Sequence, residues 1–152
     1  MSRDNVTPFR PRSRPVAPQR GEGWGFNTHR GKAVLVQLLT LAAFVLNFVL
    51  RGGVLSLVAM AIGIAAAVLA VSNRGQGMPW AATHHEHALR TVILGYSIWT
   101  LASLLTYVSP FLGLATVFIQ LAVALWAGLR AGIGLVLAIG RKPMPNARGW
   151  LI

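Results

Sequence analysis

A chain of 152 residues that is 55% apolar and only 11% charged, with a mean hydropathy of +0.60, lies outside the range of soluble domains, which are about one quarter charged. The net charge of +11 is not a nucleic-acid signature, because seven of the 14 Lys and Arg lie in the first 32 residues and most others border apolar runs, as membrane topology requires. The absence of cysteine excludes a disulfide framework, thiol catalysis and thiolate metal sites.

Residues 1–32 carry Arg3, Arg10, Arg12, Arg14, Arg20, Arg30 and Lys32 against Asp4 and Glu22, with Pro8, Pro11, Pro15 and Pro18 spaced to break a helix. A disordered basic, Pro-rich tail is expected there. Its Pro-x-x-P spacing allows polyproline II docking, but attraction to anionic headgroups at about 1 kcal/mol per basic residue is the plainer reading. A small-residue cleavage site is missing, so the first apolar run is expected to remain as an anchor.

That run, residues 33–50, holds no charge and spans about 27 Å as a helix, just enough for a bilayer core. Arg51-Gly52-Gly53 then reads as a turn, and residues 54–72 as a second helix. Ala59, Gly63 and Ala67 give that helix a small-residue packing stripe. Gly75, Gly77 and Pro79 mark an exit loop, and Trp80 suits headgroup depth. Thr83 and Glu86 form a capping box, which predicts a third helix over 84–108.

After a short uncharged turn, a fourth helix is predicted over 111–139, with Ala124, Gly128 and Gly132 as a second packing stripe. Arg130 interrupts this run and is expected to snorkel to the interface, since its cost at depth is at least about 2.5 kcal/mol. Residues 141–152 form a short tail. The fold class is therefore an all-α integral membrane protein: four transmembrane helices arranged as two hairpins, joined by a polar island at 80–91. Nearly all Lys and Arg then share one side, which predicts a multi-pass inner-membrane protein with both termini in the cytoplasm.

The island concentrates His84, His85, Glu86 and His87. On a helix, positions 84 and 87 share a face while 85 points about 100° away, so at most two imidazoles converge. A capped helix start at the interface is expected rather than a metal site. No histidine pair is expected at membrane depth on facing helices, as haem ligation requires, and no cofactor is expected. Gln37, Asn47 and Gln120 read as interhelical hydrogen-bonding groups worth about 0.6 kcal/mol each. The acids are Asp4, Glu22 and Glu86 alone, which leaves ion-coupled transport and acid–base catalysis without their usual groups.

Trp80-x3-His84-x5-Arg90-Thr91 resembles the W-x-x-S-H-(x5)-R-T signature of small bacterial membrane proteins in the Tic-twenty-like group. Trp126-x3-Arg130-x3-Gly134 and Lys142-Pro143-Met144-Pro145-Asn146, followed by Trp150, are similar to that family's last helix and Pro-Asn tail. The likeness covers roughly residues 33–152. It departs at Thr83, where the family usually has Ser, at Ala82, where an acid is common, and at His85, where an aromatic is usual. The resemblance implies four helices and no established catalytic residue. The chloroplast relatives act in protein import, which implies by analogy a role with other membrane proteins.

The expected function is that of a non-catalytic accessory subunit or assembly factor, with Trp80, His84, Arg90 and Arg130 as an interfacial polar cluster between the hairpins. Its expected partners are membrane lipids and other membrane proteins or further copies of itself, and not nucleic acid. Two alternatives are an oligomeric pore or small transporter with Asn47 and Gln120 lining a path, and a lipid- or quinone-binding subunit of a membrane enzyme with its ligand near Trp80 and Arg90.

Overall fold

The computed structural model describes residues 25–50 and 53–150. The expected disordered tail, up to residue 24, and the Arg51-Gly52 turn lie outside the described residues. The rest is helical: α1 (His29–Val49), α2 (Gly53–Asn73), α3 (Pro79–Val108), one 3-10 turn (Pro110–Leu112) and α4 (Gly113–Ile139). All four α-helices are long and apolar enough to cross a membrane. The end at which α1 and α3 begin is called the base here, and the other the far end.

Two helix starts differ from expectation. α1 begins at His29 rather than at residue 33, because the Thr28 hydroxyl accepts from the Gly31 amide (3.0 Å) in an N-cap. Arg30 and Lys32, expected in the tail, sit in its first turn. There Arg30 donates to the carbonyl of Ile139 (2.6 Å) and Lys32 to the Asn73 side chain (2.9 Å). Cations at a helix start oppose that helix's own dipole, but these two lie against the closing residues of α4 and α2, whose carbonyl ends attract them. α3 begins at Pro79 rather than at residue 84. Proline at the first helical position costs no hydrogen bond and presets φ.

The expected hairpins do not stand apart. α1 packs against α2 and α4 and also meets α3 across the bundle, α2 packs on α3, and α3 on α4; α2 and α4 do not touch. α1 is therefore the central helix. Its buried face, Ala33, Val36, Gln37, Thr40, Ala43, Phe44 and Asn47, follows the three-and-four spacing of a helix surrounded on one side.

Small residues set the interhelical distances. Ala33, Ala81 and Ala138 meet at the base, Val36, Ala70, Ala88 and Leu89 above them, and Phe44, Val123 and Ala127 higher still, with Tyr96 and Trp126 beside them. Large apolar side chains such as Val68, Leu101, Phe118 and Leu125 point outward. Lipid is as apolar as these side chains, so burying them would gain little, and close backbone packing takes over as the main attraction. On α2, Ala59 and Gly63 lie beneath Tyr96, whose hydroxyl donates to the Ala59 carbonyl (3.3 Å), and Ala67 is partly buried beside Ala70. On α4 the inward face is Val123, Ala127, Ala131, Gly134 and Ala138. The expected stripe of Ala124, Gly128 and Gly132 is half-buried beside it and is not what packs the bundle.

A Cβ atom at Gly95 would overlap the ring of Phe44, which is fully buried, whereas one at Gly132 meets nothing within 4 Å. Gly95→Ala is therefore expected to destabilise the bundle by about 1–3 kcal/mol, and Gly132→Ala to change it by less than about 0.5 kcal/mol. Denaturant titration in mild detergent micelles measures both, and equal values would contradict the close α1–α3 approach.

Candidate functional site

The early start of α3 changes the role of the capping pair. Thr83 is inside the helix, where its hydroxyl donates to the Trp80 carbonyl (2.6 Å) and accepts from the Met144 amide (3.0 Å). Glu86 pairs with Arg90 (2.7 Å) and Arg74 (3.3 Å) rather than with the amide of Thr83. The capping box is thus absent: it needs Thr83 in extended backbone, and Pro79 has already begun the helix.

The segment after α4 folds back over this region. The amide of Lys142 bonds to Leu137 and that of Arg141 to Ala138, the paired bonds of a Schellman motif, with Arg141 in the left-handed region at φ 55°. Four side chains of α3 and α4 then hold the returning backbone. His84 Nε2 meets the Lys142 carbonyl at 2.9 Å, Thr83 holds the Met144 amide, Arg90 donates to the Arg148 carbonyl (3.2 Å) and Arg130 to the Gly149 carbonyl (2.7 Å). Because a carbonyl only accepts, His84 carries its proton on Nε2.

Arg130 is only 1% exposed, enclosed by the bundle and the returning segment rather than extended over the surface. Its Nε donates to the Thr91 hydroxyl (2.8 Å), and its guanidinium lies 5.6 Å from the centre of the Trp126 ring. The Thr91 hydroxyl donates in turn to the His87 carbonyl (2.8 Å). A buried cation survives when hydrogen-bonded throughout, and the polarised oxygens and aromatic face supply that here. Glu86, the one acid among the described residues, lies with Arg74 and Arg90 instead.

The three histidines are also buried rather than placed at an open interface. They diverge around α3, but the helix is enclosed on several sides. Gln37 of α1 donates to the His84 carbonyl (3.2 Å) and lies 3.5 Å from His87 Nδ1, while the returning segment covers His84. Among the described residues no three His, Asp or Glu side chains converge as metal ligands require.

Of the expected cluster, His84, Arg90 and Arg130 meet through the segment they share rather than through one another. Trp80 stands edge-on to His84 at 6.0 Å and donates to the Met78 sulfur (3.2 Å). Trp150 closes over Arg90 at 5.6 Å. Gln37, expected to bond between helices, does so, whereas the part played by Thr91 and by the carbonyls of Lys142, Arg148 and Gly149 is what sequence reasoning missed. The Trp126–Arg130 spacing of one helical turn was the visible sign of a stacked arginine. Asn47 and Gln120 lie towards the far end, where Asn47 donates to the Tyr96 hydroxyl (2.7 Å) and Gln120 to Ser103 (3.0 Å). Comparison with family models, curated proteins and solved structures finds no match to this chain.

Arg130→Met removes the donor that holds Gly149 and the one from which the Thr91 oxygen accepts. Amide exchange across residues 142–149 is expected to quicken roughly tenfold or more, equivalent to about 1.4 kcal/mol of lost local stability. Arg130→Lys is expected not to restore protection, because an ammonium cannot reproduce the planar, two-directional contact. Exchange measured by mass spectrometry in detergent distinguishes these outcomes.

Proposed function

We propose that this chain is a non-catalytic membrane protein that holds a transmembrane helix of another protein, as an accessory subunit or assembly factor. The observation that carries the reading is an open apolar groove along α4. It has a volume of about 600 Å³, a floor of Ala124, Gly128 and Gly132, and walls that include Val45, Leu125 and Leu129. A Cβ at Gly132 would meet nothing within 4 Å, and one at Gly128 only a Leu41 methyl at 3.7 Å. The bundle thus leaves a small-residue stripe unused on its outer surface. Small residues at four-residue spacing let two helix backbones approach closely, which supplies the van der Waals contact that drives association in lipid.

The base supports the accompanying topology. Arg30, Lys32, Arg74, Arg141, Lys142 and Arg148 cluster there, and the positive-inside rule then turns it toward the cytoplasm of a bacterial inner membrane. Anionic headgroups are the natural lipid contacts of those cations.

Gly132→Leu fills the groove without entering the bundle. After gentle extraction and native purification, the variant is expected to retain its melting temperature and lose at least about fivefold of the co-purifying membrane protein, since one blocked close-packed contact is worth about 1 kcal/mol. A wild-type protein that migrates as a bare monomer with nothing attached contradicts the proposal, and one that recovers only further copies of itself replaces the partner with a homo-oligomer.

A further inference from the structure

We propose that the far end of the bundle is a binding site for an uncharged, lipid-soluble ring compound bearing carbonyl oxygens, the chemistry of a quinone. The site arises from unequal helix lengths. Beyond the Asn47–Tyr96 contact α1 has two further residues, to Val49, whereas α3 has twelve, to Val108. The last turns of α3 and the first of α4 therefore run past the end of the central helix. What they leave is an open cleft of about 660 Å³, within the range of about 300–1,000 Å³ that small-molecule sites occupy.

All four helices line the cleft: Asn47 from α1, Ser56 from α2, Trp99 and Tyr107 from α3, and Thr116 and Gln120 from α4. No lining residue is charged, and the chain holds no charged residue between Thr91 and Leu129. An ion would find no counter-charge among these described lining residues, in surroundings where an unpaired charge is costly. The ligand is therefore neutral.

Hydrogen-bond directions narrow the class further. Three hydroxyl protons of the wall are committed: Ser103 donates to the Trp99 carbonyl (2.9 Å), Thr106 to Thr116 (3.1 Å) and Thr116 to the Ala102 carbonyl (2.9 Å). The Trp99 indole N–H and the Tyr107 hydroxyl donate to no described residue. These two groups offer donors that a quinone carbonyl can accept from. The mouth fixes the route of entry. Tyr107, Val108 and Phe111 are 87%, 80% and 95% exposed around it, an apolar rim that belongs in lipid rather than water. A solute with a hydrocarbon tail gains from that rim, and a purely aqueous one does not.

This inference goes beyond the helix-holding role and uses none of the α4 groove residues. Its test is photolabelling of the purified full chain in lipid nanodiscs with an azidoquinone, competed by decylubiquinone or by decyl glucoside. Label is expected to map to residues 99–120 and to be displaced by decylubiquinone. Gly113→Phe fills the cleft where a Cβ meets no atom within 4 Å, and should lower labelling at least tenfold at unchanged melting temperature. Tyr107→Phe, at an exposed position that the fold does not use, should weaken decylubiquinone competition about fivefold, the worth of one hydrogen bond of about 1 kcal/mol. Label scattered over the outward faces of all helices, labelling unchanged in Gly113→Phe, or equal competition by decyl glucoside would overturn the proposal.

Discussion

Arg130 is a cation enclosed by the bundle, and its pairing shows what the rest of the base is built around. Its partners come from three places: the Thr91 hydroxyl on α3, the Gly149 carbonyl from the returning segment and the Trp126 ring one turn back on its own helix. An ordinary apolar residue at this position would need none of them. Satisfying one cation thus joins α3, α4 and the stretch beyond α4, and the same stretch then meets His84, Thr83 and Arg90. The arrangement contributes positional definition more than net stability, because burying a charge costs nearly as much as its contacts return.

The two ends of the bundle resolve the demand for pairing differently. At the base, long side chains reach across to backbone groups, and charged residues are tolerated because carbonyl oxygens surround them. Among the described residues of the far end none is charged, and short hydroxyls and amides pair with one another along α3 and α4. Between them lies the apolar layer of Phe44, Val123 and Ala127, with the Tyr96 ring tilted against Phe44 at 5.1 Å. The chain is therefore polar within each end and dry in the middle.

Helix number and approximate extent were legible in the sequence because bilayer thickness sets the length of an uncharged run, and Gly, Pro and Arg interrupt those runs visibly. Helix starts were less legible. The cations Arg30 and Lys32 looked like tail because only the closing residues of α2 and α4 make them welcome at a helix start. The Thr83–Glu86 pair obeyed a local rule that Pro79 had already overruled one turn earlier. Arg130 was expected to reach for water because its oxygen partners are partly backbone carbonyls, which carry no residue signature. The histidines were taken for interface groups because they stand in a polar island at an expected helix start, and such an island is exposed only where no other element folds over it.

One contact of the base ties distant parts of the chain together. Arg130 and Gly149 are 19 residues apart in sequence, and the bond between them closes the last turns of α4 and the returning segment into a ring. A backbone break inside that ring leaves both pieces fastened to the bundle, one through α4 and the other through Arg90 and Arg130.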